Sequence, residues 1–204
     1  MPVIVVANPK GGVGKSTLST NLAGYLASRG HAVMLGDVDR QQSALTWLSL
    51  RPPQLPAIGT WDTHGEIVRP PKGTTHVVLD TPAGLHGKRL DEVMKLADKV
   101  IIPIQPSIFD IHATHAFVAE LRAHRRSEKV KLGIVCMRVR EGTLSADHLR
   151  AFIEKLQVPL VGQLRDTQNY VHLAAHGMTL FDVSSSRFER DHAQWKSITE
   201  WIDA

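Results

Sequence analysis

The sequence predicts an α/β protein with a doubly wound, mostly parallel sheet and helices on both faces. Two observations lead to this prediction. Apolar runs of strand length alternate along the chain with segments of helical period, which is the pattern of successive βαβ units. The strand-length runs are also rich in Val, Ile and Leu at successive positions, as expected for strands that helices cover on both sides.

The predicted elements follow one another in regular order. The strand predictions are residues 3–7, 32–38, 76–80, 99–105, 131–137 and 160–164. The helix predictions are residues 15–29, 41–49, 88–96, 110–123, 145–157 and 188–202. Prolines and glycines interrupt residues 51–56 and 69–73, which we expect to be surface loops.

Composition limits the classes of protein to consider. The chain has 204 residues, 43% of them hydrophobic and 22% charged, and it shows no repeat or linker, so we expect a single domain over residues 1–204. No apolar stretch approaches the ~18 residues of a membrane span, and the short apolar start lacks a basic leader, so we expect a cytoplasmic protein. The lone Cys136 excludes an internal disulfide framework and a cysteine-rich metal site within one chain. The net charge of +4 favours an anionic partner.

A glycine-rich stretch follows the first predicted strand and opens a helix, and residues 8–17 read NPKGGVGKST. Glycines let successive backbone N–H groups turn inward around a phosphate, and the helix N-terminus adds a favourable dipole. Lys15 can reach the β- and γ-phosphates, and the Ser16 hydroxyl is placed to ligate Mg²⁺. Pro9 departs from the general pattern G-x-x-x-x-G-K-[ST] by standing at the first glycine. The strand before it and the helix after it favour a phosphate-binding loop over a chance turn.

The string KGGVGKST resembles the deviant Walker A box of the ParA/MinD superfamily of ATPases. This resemblance implies ATP and Mg²⁺ as ligands and a homodimer that sandwiches the nucleotides. It also implies that an additional lysine, here Lys10, reaches the partner's phosphates and offsets charge as an arginine finger does. A solvated loop lysine is the alternative. The implied catalytic lysines are Lys10 and Lys15, and the implied nucleotide contacts in the loop are Lys10, Gly11, Gly12, Val13, Gly14, Lys15, Ser16 and Thr17.

Two aspartates close the second predicted strand, where residues 36–42 read GDVDRQQ. Carboxylates spaced i, i+2 at a strand end point to the same side, toward the crevice at the carboxyl edge of the sheet. The segment resembles the superfamily's Asp-x-Asp-Pro-Gln element, with Arg40 in place of the proline. The resemblance implies that Asp39 orients the attacking water, and that Asp37 supports the magnesium shell or the loop. Two helix-capping aspartates are the alternative.

A third acidic position ends the strand predicted at residues 76–80 and precedes a loop of small residues, TPAG at 81–84. An acid there can hold the water shell of Mg²⁺, as Walker B aspartates do. The loop resembles the superfamily's switch loop. The predicted metal set is therefore Ser16, Asp37 and Asp80.

The base-binding end is less clearly marked. Residues 136–138 read CMR where the superfamily usually has an Asn-Arg pair, and we expect Arg138 to stack on the base or flank it. The expectation that the base is adenine comes from the family resemblance alone, and not from a residue that reads the base. The turn PIQPS at 103–107 also resembles the superfamily, and both a structural and a ligand-binding role remain open for it.

The resemblance covers nearly the whole chain, and the length suits small ParA-like proteins. It implies an ATPase that partitions or positions DNA or another large cargo, and that binds DNA nonspecifically as an ATP-bound dimer. It further implies a cargo-linked protein that stimulates hydrolysis, and nucleoid association within the cytoplasm. The rival readings are a nucleotide-gated scaffold for a secretion or polysaccharide-synthesis complex and a MinD-like membrane-associated positioner. Iron–sulfur branches of the superfamily are disfavoured because they need several cysteines.

Two basic groups could contact DNA. One lies near residues 122–131 and the other near residues 187–196, although cations at a helix C-terminus are also favourable for structural reasons. Dimerisation would double the charge on a shared face. The predicted DNA contacts are Arg122, Arg125, Arg126, Arg187 and Arg190.

Two further patterns have simpler explanations. Residues 195–202 carry an apolar stripe with two tryptophans but only one lysine, so we favour docking on the core over a membrane-binding helix. Asp110, His112 and His115 have a metal-ligand spacing without an evident fourth ligand, so we favour a helix face with ordinary histidines.

Overall fold

The computed structural model describes residues 1–61, 63 and 70–204. Residue 69 of the loop predicted at 69–73 lies outside these ranges. Within them, the sheet has seven strands: β1 (Val3–Val6), β2 (Val33–Asp37), β3 (Ile58–Gly59), β4 (His76–Asp80), β5 (Lys99–Ile104), β6 (Lys131–Val139) and β7 (Leu160–Arg165). They are ordered β3-β2-β4-β1-β5-β6-β7, and every neighbouring pair is parallel. The predicted sheet is confirmed.

Helices cover both faces of this sheet. They are α1 (Lys15–Ser28), α2 (Ser43–Ser49), α3 (Gly87–Leu96), α4 (Ile108–Ala123), α5 (Leu144–Leu156), α6 (Asn169–Ala174) and α7 (Glu189–Asp203). Short 3₁₀ turns occur at Ser127–Lys129, Leu180–Asp182 and Ser186–Phe188. One core lies beneath α1, α2, α6 and α7, and the other beneath α3, α4 and α5.

Strand β1 shows why a strand that is apolar at every position belongs to a sheet with helices on both faces. Its side chains alternate between the cores, since Ile4 and Val6 pack into one and Val3 and Val5 into the other. All four residues are buried. Successive side chains of a strand point to opposite faces, so a uniformly apolar strand requires helices on both sides.

Several boundaries differ from the predictions for local backbone reasons. Helix α2 begins at Ser43 and not at residue 41, because Gln42 adopts a left-handed conformation with φ 50°. Helix α5 ends before Gln157, which is also left-handed with φ 53° and forms its C-cap. Strand β3 and helix α6 are absent from the predictions. They have two and six residues, too few to show a clear period.

The C-terminal helix α7 docks on the sheet, as predicted. Its stripe of Trp195, Ile198 and Ile202 is buried, with exposed fractions of 1%, 0% and 6%. The Nζ of Lys99, at the start of β5, donates to the carbonyls of Trp201 and Ile202. Helix α7 therefore ends at the amino edge of the sheet and begins at the carboxyl edge. In the described part of the chain, no helix has the length and apolar character to cross a membrane.

Candidate functional site

The loop between β1 and α1 has the geometry of a phosphate cradle. Gly12 and Gly14 have φ values of 73° and 98°, the region that glycine enters without steric cost. A Cβ on Gly14 would also lie 2.8 Å from the Cε of Met137, so the end of that side chain would have to shift. The Nζ of Lys15 donates to the carbonyl of Lys10 at 2.6 Å, which draws the two ends of the loop together.

Hydrogen bonds tie this loop to its neighbours. The Nδ2 of Asn8 donates to the carbonyl of Pro103 and to Thr114 of α4, and its Oδ1 accepts the N–H of Lys10. The Nε2 of Gln105 donates to the carbonyl of Gly12 at 2.8 Å. These bonds fix the shape of the cradle. The turn at 103–107 thus supports the loop, which favours the structural role left open for it.

The strand register brings the acidic positions together. Asp80 pairs with Val6 across β4–β1 and with Asp37 across β4–β2, so the carboxyl ends of three strands lie level. Asp80 is 1% exposed, its Oδ1 accepts a hydrogen bond from the Ser19 hydroxyl at 3.0 Å, and the Ser16 side chain lowers its pKa against the larger effect of burial. In the described residues, no Lys or Arg lies within ion-pairing distance of its carboxylate.

The environment of Asp80 fits a cation. Burial raises the pKa of Asp80 to about 7, and the nearby Asp37 adds to the rise. Burial lowers the pKa of Lys15, while the charges of Asp80 and Asp39 oppose that fall. Mg²⁺ prefers oxygen ligands, and it often takes only one or two protein groups beside phosphates and waters. Ser16 and Asp80 supply such a pair next to the cradle.

Asp37 supports the loop that follows β2. It is fully buried, and its Oδ1 accepts the N–H of Asp39 at 3.0 Å. Its Oδ2 accepts the N–H groups of Ala44 and Leu45, at the start of α2. For Asp37, the sequence left open a role in the magnesium shell, in supporting the loop, or in capping a helix. These contacts support the loop and cap the helix. The assignment of Asp37 to the metal stays a prediction.

Asp39 lies at the cleft and does not cap α2. It is half-buried, and its Oδ1 accepts the N–H of Gln41 at 3.1 Å. The bond from its own N–H to Asp37 fixes the backbone at this point. The two aspartates therefore have different positions. Asp37 is buried and bonds to the backbone of its own loop, whereas Asp39 lines the cleft above the phosphate loop.

A cleft of about 460 Å³ opens above the loop at the carboxyl edge. This volume lies within the usual range of small-molecule sites. The lining residues are Gly11, Gly12, Gly14, Lys15, Ser16, Thr17, Asp39, Gln41, Ser43, Pro82, Ala83 and Arg138. Of the predicted site residues, Lys10, Val13, Asp37 and Asp80 are absent from this lining.

Arg138 is placed at the cleft by an irregularity in β6. The β6–β7 register shifts between Cys136 and Val139, and Arg138 has φ 52°. Such a bulge redirects a side chain at a strand end. Arg138 also borders a smaller adjoining pocket of about 40 Å³, together with Thr167 and Tyr170. This position is compatible with flanking a base, and the assignment remains a prediction.

Sequence reasoning missed several residues of the site. Gln41, Ser43, Pro82 and Ala83 line the cleft, but no role was assigned to them individually. Gln41 belongs to the GDVDRQQ segment, and Pro82 and Ala83 belong to the TPAG loop, so membership of these motifs is the signal that could identify them. Gln105 supports the loop from 93 positions away, a contact that no local pattern encodes.

The structure separates the two basic groups. Helix α4 starts at the carboxyl edge and ends at the amino edge, so Arg122, Arg125 and Arg126 lie away from the cleft. Arg122 donates to the carbonyls of Leu156 and Gln157, which is a helix-capping role.

The other basic group lies on the cleft's side of the molecule. Arg187 and Arg190 flank the start of α7 at the carboxyl edge. Arg190 lies 3.5 Å from Glu141, and Arg187 donates to the side-chain oxygen of Asn169. Only this group shares an edge with the candidate site.

The spacing of Asp110, His112 and His115 has an explanation within the fold. Asp110 is buried, whereas both histidines are exposed, so the three do not share a face. Within the described ranges, no group of three His, Cys, Asp or Glu residues could hold a metal ion. Burial raises the pKa of Asp110, and the nearby charge of Lys10 opposes the rise.

Comparison with known proteins agrees with this geometry. Residues 4–180 match the CobQ/CobB/MinD/ParA nucleotide-binding domain family. The chain is 28% identical over 192 residues to maintenance of carboxysome distribution protein A of Halothiobacillus neapolitanus, covering 89% of this chain and 88% of that protein. It is 30% identical over 186 residues to the chromosome-partitioning ATPase Soj of Thermus thermophilus, covering 72% and 74%.

A solved structure shows the same fold. The MinD cell division protein of Aquifex aeolicus superposes with a TM-score of 0.78 at 17% identity, covering 100% of this chain and 98% of that one. With a phosphate loop, a buried acid and a cleft at the expected edge, the chain belongs to the CobQ/CobB/MinD/ParA family and is an ATPase.

Proposed function

We propose that this protein is a ParA-like ATPase that uses Mg²⁺·ATP to dimerise, binds DNA nonspecifically in that state, and positions or partitions a large cargo. A protein linked to the cargo would stimulate hydrolysis and release the dimer. The relatives named for carboxysome distribution and chromosome partitioning support the positioning part. The cytoplasm, with the nucleoid as the surface, is the proposed location.

One observation carries the dimer proposal. Lys15 lines the cleft of its own chain, whereas Lys10 belongs to the same loop but is not part of that lining. The charge of Lys10 acts on the buried Asp110 of α4. A second lysine that does not serve its own cleft is available to a second copy facing it. There its charge would offset the negative charge that develops on the transferring phosphoryl group.

The remaining roles follow from the positions of the side chains. The inward-turning N–H groups of the loop and the Lys15 amine would hold the β- and γ-phosphates. Ser16 and Asp80 would hold Mg²⁺, which neutralises phosphate charge when bound. Asp39, at the cleft and fixed through Asp37, would accept a hydrogen bond from the attacking water and orient it toward the γ-phosphorus.

The DNA part of the proposal draws on Arg187 and Arg190. Both lie at the edge where two copies would meet if they faced each other across their clefts. The dimer would therefore bring two such groups close together. Because each phosphate contact adds a counterion-release contribution, a dimer would bind duplex DNA far more strongly than a monomer.

The membrane rival loses its main support in the structure. The apolar stripe that could have entered a lipid surface is packed against the sheet, with Trp195 1% exposed. The scaffold rival predicts no dependence on DNA, so a DNA-binding measurement separates it from the proposal.

The test uses Mg²⁺ and a non-hydrolysable ATP analogue. We expect wild-type protein to form a dimer in light scattering and to bind duplex DNA of any sequence, and to do neither well with ADP. Lys10→Ala should still bind the analogue in titration but fail to dimerise. Lys72→Ala, an exposed lysine in a distant loop, is the matched control and should behave as wild type. A normal dimer in Lys10→Ala would refute the role across the interface. A wild-type dimer that ignores DNA at low salt would favour the scaffold.

A further inference from the structure

Arg89 connects two parts of the site that are distant in sequence. It lies in the first turn of α3 and is half-buried. Its Nη2 donates to the carbonyl oxygen of Val38 at 2.8 Å, across 51 positions of the chain. Within the described residues its guanidinium forms no ion pair. Its directional polar contact there is this hydrogen bond to a backbone carbonyl.

The carbonyl that Arg89 holds belongs to the peptide immediately before Asp39. The N–H of Val38 donates to the carbonyl of Asp80 at 3.0 Å, and the N–H of Asp39 donates to Asp37. The backbone that carries the Asp39 carboxylate is thus held by the end of β4, by Asp37 and by α3. Of these three attachments, only the one to α3 comes from outside the strand ends.

Helix α3 is itself continuous with a loop that contacts the phosphate cradle. Pro82 and Ala83 line the cleft, and the N–H of Gly84 donates to the carbonyl of Pro9 at 2.8 Å. A change in this loop when a γ-phosphate enters or leaves would be carried into α3. Arg89 would then carry it to the peptide before Asp39.

We propose that Arg89 is a positioning residue, which fixes the Asp39 carboxylate for water attack and links its position to the loop at residues 81–84. The inference rests on the proposed function, in which Asp39 orients the water. A hydrogen bond from a charged donor is stronger than a neutral one, so a guanidinium suits this purpose. Small displacements of an orienting group have large effects on the rate, since the attack requires a near-aligned geometry.

The first experiment compares Arg89→Ala, Arg89→Lys and the control Lys88→Ala in basal hydrolysis with Mg²⁺ and ATP. Lys88 is the exposed neighbour on the same helix, and its side chain is 89% exposed. We expect kcat to fall by about tenfold or more in Arg89→Ala, while KM and the measured ATP affinity change by less than about twofold. Arg89→Lys should recover part of the loss because it keeps a charged donor. Lys88→Ala should match wild type.

The second experiment combines Arg89→Ala with Asp39→Ala. If Arg89 acts through Asp39, the double variant should hydrolyse ATP no more slowly than Asp39→Ala alone, because neighbours that act as a unit are non-additive. A further full loss in the double variant would overturn the inference. So would wild-type kcat in Arg89→Ala, or a loss of ATP affinity together with a lowered thermal midpoint, which indicates a merely structural role.

The two proposals fail in distinguishable ways. Wild-type turnover in Asp39→Ala would overturn the assignment of Asp39, and with it the basis of the Arg89 proposal. Slow turnover in Asp39→Ala beside normal turnover in Arg89→Ala would overturn only the role of Arg89.

Discussion

The placement of the basic groups gives a quantitative prediction about DNA binding. The perturbation is the double variant Arg187→Ala/Arg190→Ala, which removes two cations per protomer from the edge that holds the cleft. For duplex DNA, log K falls with log[salt] by about 0.9 for each neutralised phosphate. If both arginines of both protomers contact phosphates, the variant dimer loses about four contacts. The slope should therefore become less steep by about 3 to 4.

The assay is a salt titration of DNA binding with the non-hydrolysable ATP analogue and Mg²⁺. The matched control is Arg125→Ala/Arg126→Ala, which removes the same charge from the opposite edge of the sheet. We expect this control to keep the wild-type slope. Turnover without DNA should stay close to wild type in both variants, because neither pair lines the cleft.

Arg187 also has a structural contact that must be separated from its charge. Its guanidinium donates to Asn169, which itself donates to the buried Asp191. The single variant Arg190→Ala avoids this network and should lower the slope by about 2 in the dimer. Circular dichroism melts show whether the double variant stays folded at the assay temperature.

A particular result would refute the reasoning. If the variant at Arg125 and Arg126 flattens the salt dependence and the variant at Arg187 and Arg190 does not, DNA lies at the amino edge. A dimer whose two copies face each other at their clefts would then not bring the DNA-binding cations of both copies together. If neither variant changes the slope, the surface assignment is wrong for both groups.

Three further predictions address the site and the fold. Lys15→Ala should weaken ATP affinity by about 10- to 100-fold in calorimetry, because a charged donor to the phosphates is lost; unchanged affinity would contradict the site. Asp39→Ala should bind ATP normally while hydrolysis falls about 100-fold in a phosphate-release assay; a loss of binding instead would give Asp39 a different role. Arg51→Ala should lower the free energy of unfolding by about 3–5 kcal/mol in denaturant melts, because it leaves the fully buried carboxylate of Asp182 unpaired. Burial raises the pKa of Asp182, but hydrogen bonds from Arg51 and Thr179 outweigh burial and hold it below its ordinary value. The pair therefore stabilises the fold at neutral pH, and the difference from the variant should shrink as acid protonates Asp182.

The sequence predicted the features that local spacing encodes. The phosphate loop is a contiguous motif between a strand and a helix, so its placement at the carboxyl edge followed from the order of elements. Asp37 and Asp80 each end a buried strand and Asp39 follows two residues after β2, so their convergence was predictable once the sheet was parallel. Strand β3, with two residues, could not be recognised because so short a segment has no period.

Contacts between distant segments lay beyond the sequence for a physical reason. The bonds Arg89–Val38 and Gln105–Gly12 join residues 51 and 93 positions apart, and each depends on the register between strands. The two basic groups looked equivalent as charge patterns. Only the direction of α4 and α7 across the sheet showed that one lies beside the cleft and the other at the opposite edge.

The contacts around the cleft connect the proposed hydrolysis of ATP to the proposed release from DNA. Gly84 ties the loop at 81–84 to the phosphate cradle, and Arg89 ties the following helix to the peptide before Asp39, so three loops form one connected unit around the cleft. The proposed dimer and its paired DNA contacts depend on that same edge. In the proposed dimer, Lys10 of each copy contacts the γ-phosphate bound by the other copy. Loss of the γ-phosphate would remove this contact across the interface. The two arginine groups would then separate, and because the counterion-release contributions add per contact, each half would bind DNA only weakly.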